Sequence, residues 1–264
     1  MIASILFVLL LGAASWLFAR NIMRIRRNIL LGRDVTINDR PGERWALMAR
    51  VALGQSKMVV RPIAGFLHII VYAGFVIVNI EVLEIIIDGI FGTHRVLSFL
   101  GGFYDFLIGS FEWLALGVWV ACAIFLVRRN IMKLKRFVMK ELDGWPRTDA
   151  NLILCTEIAL MTAFLVMNAA DVTLQQQGAA HYTRAGAFPV SSFIASLTSF
   201  TSLSSGTLIA IERACWWFHI IGILFFLNYL VVSKHLHILL AFPNVWYGSL
   251  RPKTEIVNME RITG

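Results

Sequence analysis

Five long apolar stretches constrain this chain more than anything else in it. They run from Ile2 to Ala19, Pro62 to Ile87, Phe106 to Val127, Ala150 to Ala170 and Arg213 to Lys234. A helix needs about 20 apolar residues at ~1.5 Å each to cross ~30 Å of hydrocarbon, and each stretch is of that order. In lipid a backbone must satisfy its own polar groups, so stretches of this kind become helices. The composition agrees: 58% of the 264 residues are hydrophobic, 15% are charged, and the mean hydropathy is +0.73. The expected fold is therefore an all-α integral membrane bundle of five transmembrane helices over residues 1–245, with a polar tail at 246–264.

The net charge of +8 would suit a nucleic-acid binder, but its distribution does not. Arg20, Arg24, Arg26, Arg27 and Arg33 follow the first stretch, and Arg128, Arg129, Lys133, Lys135 and Arg136 follow the third. Short loops rich in Lys and Arg mark the cytoplasmic side of a membrane protein. The expected topology has the N-terminus outside and the C-terminus in the cytoplasm, with the lipid bilayer as the partner and no nucleic acid. The first stretch lacks a basic leader, so a cleaved signal peptide is not expected despite Ala13-Ala14-Ser15. Arg44 to Leu53 reads as a short interfacial helix, and Thr148 or Asp149 as the cap of the fourth span. The segment 171–208 is long enough to lie on the bilayer or to fold back as a lid. Cys122, Cys155 and Cys215 stand singly in apolar runs, which argues for packing rather than a metal site.

Two histidines lie within apolar segments, where an ionisable group is costly and generally functional. These are His68 in the second span and His219 in the fifth. His237 follows His219 by 18 residues. At roughly 100° per residue that is five whole turns, which would put both on one helix face about 27 Å apart. His235 would then point about 160° away. Imidazoles facing one another from two helices are how a bundle clasps a haem iron. Zinc would want more ligands than these spans supply. Depth does not select the pairs: counted along the spans, His68 misses both His219 and His237 by about 14 Å. His94 and His181 fall in loops, where a solvated role is expected. Glu81, Glu84 and Glu157 are acids in or near the membrane that suit proton transfer, an interfacial position being the alternative for Glu81 and Glu84, and Arg61 and Arg213 could pair with haem propionates. The rival reading is a non-redox transporter or assembly scaffold whose acids and histidines form an ion path.

The stretches Gly54-Gln55-Ser56-Lys57-Met58 through His68, and Trp216-Trp217-Phe218-His219 through Ser233-Lys234-His235-Leu236-His237, carry a resemblance. The chain resembles the gamma subunit of respiratory nitrate reductase, a five-span di-haem cytochrome b that oxidises quinol. It resembles most the membrane domain of heterodisulfide-reductase-like iron–sulfur oxidoreductases. That resemblance implies haem b held between His68 and His219. It implies a second haem between His237 and a histidine ten residues before His68. This sequence departs there, because the position is Met58. Met58 is a ligand type known in cytochromes; Lys57 is an alternative, His235 can replace His237, and the remaining alternatives are an inner site with one protein ligand or an empty one. The resemblance further implies menaquinone or another quinone as substrate near the outer haem. A cytoplasmic iron–sulfur protein or domain with [4Fe–4S] clusters would be the partner, its place in the chain being beyond Gly264. The implied location is the bacterial inner (cytoplasmic) membrane.

Overall fold

A computed structural model describes residues 1–32, 36–134, 137, 139–182 and 184–251. Arg33, Lys135 and Arg136, and the tail from 252 to 264, lie outside the described residues. The described chain is helical, with no strand. In order the helices are α1 (Ile2–Ile29), α2 (Pro41–Met48), α3 (Pro62–Phe91), α4 (Gly102–Leu126), α5 (Trp145–Gln177), α6 (Pro189–Leu197), α7 (Ser205–Leu230) and α8 (Leu236–Trp246). Five of them, α1, α3, α4 (with its extension to Ile131), α5 and α7, are long and apolar enough to cross a membrane. By length and composition the chain is a multi-pass membrane protein.

Local chemistry sets the boundaries. Pro41, Pro62, Pro146 and Pro189 sit in the first turns of α2, α3, α5 and α6, where a missing N–H costs nothing. Gly92 and Gly178 end α3 and α5 with left-handed backbone at φ 70° and 67°. α4 runs on through a π-helical turn, Val127–Ile131. Neither Thr148 nor Asp149 caps α5: the helix begins at Trp145 after Gly144, and Asp149 lies within it.

The fifth apolar stretch is not one helix through His237. α7 stops at Leu230, a turn covers 231–235, and α8 restarts at Leu236. Asp149 of α5 drives the break. Its carboxylate accepts the Lys234 backbone N–H at 3.0 Å and the Tyr229 hydroxyl, while Ser233 Oγ takes the His235 N–H at 3.1 Å. Amides released from the helix thus find acceptors. The five-turn relation between His219 and His237 consequently does not hold. Asp149→Ala is expected to cost about 1–3 kcal/mol, the penalty for leaving a buried donor unpaired, read as a lowered melting temperature in detergent.

The two ends of the bundle differ. One, the basic end, gathers the end of α1, the starts of α3 and α5, the end of α4, and α2 with α8. There Arg44 is buried and donates to Trp246 O (2.8 Å), Gly248 O (2.9 Å) and Asp39 Oδ1 (2.7 Å), tying α2 to the end of α8. Its hydrogen bond holds the Asp39 carboxyl below the usual range. The opposite, carboxylate end carries Glu81, Glu84, Asp88, Glu112, Asp171 and Glu212.

α5 and α7 form the closest pair, and α4 packs between α3 and α5. Ile108, Phe111, Ala115, Leu160, Phe164 and Ile220 belong to the main buried cluster. Segment 171–208 is largely helical: α5 continues through it to Gln177, α6 lies in its middle and α7 begins at Ser205. α6 packs on α4 and α5, and buried Glu112 accepts the N–H groups of Val190 (2.9 Å) and Ser191 (3.1 Å) at its start. α1 is the most loosely held. Phe7 is its only buried residue, and its ring lies where a Cβ on Gly89 would come within 2.7 Å. Gly89→Ala is expected to displace Phe7 at about 1–3 kcal/mol, the range for overpacking a tight contact, again read by thermal melting.

Candidate functional site

His219 is the central residue. Its side chain is 1% exposed at mid-length of α7. Nδ1 lies 3.0 Å from the carbonyl oxygen of Leu160 on α5, and the ring tilts against Phe164 with centroids 5.8 Å apart. A carbonyl only accepts, so Nδ1 carries the proton and Nε2 keeps its lone pair. Gly222, one turn on, permits this approach, since a Cβ there would lie 2.6 Å from Leu160 Cδ2. His219 lines a cleft between α3, α4, α5 and α7 with about 770 Å³ of empty space. Gly74, Val78, Val118, Ile223 and Phe226 give it apolar walls, and Glu157 is its one acid.

The other histidines named from the sequence gather elsewhere. His68 is in the second turn of α3, and the α3 lining of the cleft begins only at Val71. At the basic end His68, His235 and His237 interact electrostatically. The His235 and His237 rings are 6.0 Å apart, and His235 stands edge-on to Phe226 at 5.1 Å. Burial, with the two neighbouring imidazoles adding to it, pushes His235 down to about 4. His237 is exposed and its Nδ1 donates to Lys234 O at 2.7 Å. The Nδ1 atoms of His68 and His235 are buried with no hydrogen-bond partner. Met58 is half-buried in the turn before α3, outside the helix that holds His68, and its carbonyl crowds Gly65. Arg61 is the exposed N-cap of α3. Among the described residues no cluster of three or more His, Cys, Asp or Glu is placed to hold a metal ion. A haem, however, would need only two imidazoles to hold it.

A second cleft, with about 790 Å³ of empty space, opens at the carboxylate end. Glu81, Glu84 and Arg213 lie together in its wall, with Phe7, Trp216 and Trp217 forming an aromatic face. Arg213 is paired with its neighbour Glu212, which also accepts from Tyr182 at 3.0 Å. Burial and that carboxylate raise the Tyr182 hydroxyl above its ordinary pKa.

The frame behind this cleft is a network that the sequence reading missed. Arg95 donates from Nε to Asp171 at 2.7 Å, from Nη2 to Asn168 at 2.9 Å and from Nη1 to Tyr104 at 3.2 Å; Tyr104 donates on to Glu84 at 2.9 Å. Burial works against the Arg95 charge, but Asp171, Tyr104 and Glu81 outweigh it and raise the guanidinium pKa. One signal for this network was available. Asn168, Asp171 and Gln175 recur at helical spacing in an apolar segment, so they line one face.

No family model matches the chain, and no solved structure matches it. It is 26% identical, over 94% of its length, to the probable iron–sulfur-binding oxidoreductase FadF of Bacillus subtilis, of which the match covers 33%. It is 26% identical, over 86% of its length, to the EtfAB:quinone oxidoreductase of Syntrophomonas wolfei, covering 31% of that protein. The chain thus spans about a third of the length of the curated relatives it matches. Along most of its own length it is similar to part of two larger oxidoreductases, one named for iron–sulfur binding and the other for quinone.

Proposed function

We propose that this chain is the membrane, quinone-reactive part of an oxidoreductase, a cytochrome b like that of the nitrate reductase gamma subunit. It passes electrons between menaquinone or another quinone in the bilayer and a cytoplasmic iron–sulfur protein or domain bearing [4Fe–4S] clusters. The basic end faces the cytoplasm, as the positive-inside rule requires, in the bacterial inner membrane. The observation that carries the reading is His219, a buried imidazole whose Nδ1 proton is fixed by Leu160 and whose cleft is apolar. A hydrogen bond from the non-ligating nitrogen to a carbonyl is what orients a metal-binding histidine.

The residues fit haem b. His219 would hold one at the central cleft; the resemblance makes His68 its partner, whereas the fold sets His68 beside His235 and His237 at the basic end. The unsatisfied ring nitrogens of His68 and His235, with His237 beside them, supply ligands at the basic end, where Met58 is a further candidate. When bound, haem b supplies one-electron transfer. The chain's own part is to exclude water with Val78, Val118 and Phe226, to fix the imidazole tautomer through Leu160, and to offer Glu157 as a buried acid. Arg213 is already neutralised by Glu212, so Arg61 is the freer cation for a propionate. The cleft at the carboxylate end receives the quinone ring against Trp216 and Trp217.

The test is the visible spectrum of the purified protein. A reduced-minus-oxidised alpha band after dithionite, with haem quantified per chain, is the expected result. A colourless preparation from haem-replete cells would remove the haem and favour a non-redox membrane protein.

A further inference from the structure

Five carboxyl groups line the cleft at the carboxylate end: Glu81, Glu84, Asp88, Asp171 and Glu212. Four are fully occupied. Glu84 accepts from Leu97 N and Tyr104; Asp88 from Thr93 and the backbone of Arg95 and Val96. Asp171 accepts from Arg95 and Gln175, and Glu212 from Arg213 and Tyr182. Glu81 differs. It is 4% exposed, and its Oε2 is buried without a hydrogen-bond partner. A second atom in the same wall shares this condition. His94 Nε2 faces Asp171 Oδ2 at 3.5 Å, a group that can only accept, so in the neutral ring Nδ1 is a bare acceptor. That Nδ1 is buried and also lacks a partner. Native proteins rarely bury acceptors unpaired, and two in one cleft call for a ligand with two donors.

We propose that Glu81 Oε2 and His94 Nδ1 receive the two hydroxyl protons of a hydroquinone ring bound in this cleft. The assignment rests on the quinone reading above and adds the groups that handle its protons. Phe7, Trp216 and Trp217, their planes set 46° to 81° apart, line the cleft with aromatic surface for the ring. In oxidation both ring O–H bonds break. One proton goes to Glu81 and one to His94, two electrons leave singly to the iron–sulfur acceptor, and the ring is released as quinone. Quinone reduction is the same path reversed. The imidazole, partly open to the surface, then passes its proton outward; the His94 side chain is 22% exposed.

Anaerobic calorimetry of the holoprotein in detergent, with menadiol and with its dimethyl ether as probes, tests this. The ether has the ring but no hydroxyl proton. Wild type is expected to prefer menadiol by at least about tenfold, and Glu81→Leu or His94→Phe to lower that preference by about tenfold, as sites built around a ligand hydroxyl do when the acceptor is lost. Glu81→Gln keeps the shape and one acceptor oxygen. It is expected to bind menadiol but to slow quinol-driven reduction about 100-fold, the usual scale of a lost general base. A preference unchanged in both Leu and Phe variants, or wild-type rates in Glu81→Gln, overturns the assignment and leaves the quinone reading standing. Absence of saturable menadiol binding by the wild type overturns both.

Discussion

His219→Ala is expected to abolish the alpha band of the haem proposed for the central cleft, and with it the proposed electron transfer from quinol: this is the largest effect expected in the molecule. The imidazole is the only ring in the cleft wall with a lone pair to give an iron, since Nδ1 is committed to Leu160. Alanine also loses the hydrogen bond to the Leu160 carbonyl, a net cost of about 0.5–1.5 kcal/mol, and leaves a void beside Phe164, so loss of haem must be separated from loss of fold. Exogenous imidazole does this. If the variant is folded, added imidazole occupies the vacated space and restores the band. Full haem content in His219→Ala without added imidazole would show that another residue holds the iron.

The five spans were legible because hydropathy over a span length leaves a chain little choice. Their ends were less so. α1 continues through Arg20 to Ile29, because arginines are good helix formers whose stems lie along apolar surface while their heads reach water. The break before α8 was invisible. Leu230, Val231 and Val232 continue the apolar run, and the acceptor that stabilises the turn, Asp149, is 85 residues from Lys234. His219 stood out as a lone imidazole in an apolar run. The depth difference from His68, read by counting turns, persists in the fold: His68 is grouped with His235 and His237 at the basic end. Glu81 was noticed as an acid but could not be told from Glu84. Only their partners separate them, and those come from the loop after α3 and from α4. His94 looked solvated because its loop is polar; the fold buries its Nδ1.

Arg95→Met is expected to destabilise the protein by about 3–5 kcal/mol, the range for removing one partner of a buried ion pair, seen as a large fall in melting temperature in detergent. Arg95 is 7% exposed and Asp171 2%. Taking away the guanidinium removes one donor each from Asp171, Asn168 and the Tyr104 hydroxyl, and leaves Asp171 with Gln175 and no full countercharge. The backbone at this position is strained as well. Arg95 has φ 52°, left-handed for a residue with a side chain, and is held there by Asp88 accepting its N–H at 2.7 Å. The loop carrying His94 loses its anchor to α5 in the same step. Most of the cost is the stranded charge rather than the lost contact. The double variant Arg95→Met with Asp171→Asn should therefore recover a good part of the stability that the single variant loses. If the double variant is as unstable as the sum of its single changes, Arg95 acts through packing on Phe188, whose ring lies 4.7 Å from the guanidinium, and not through its charge. Recovery of stability without recovery of menadiol binding would then mark the ion pair as the device that keeps His94 at the cleft.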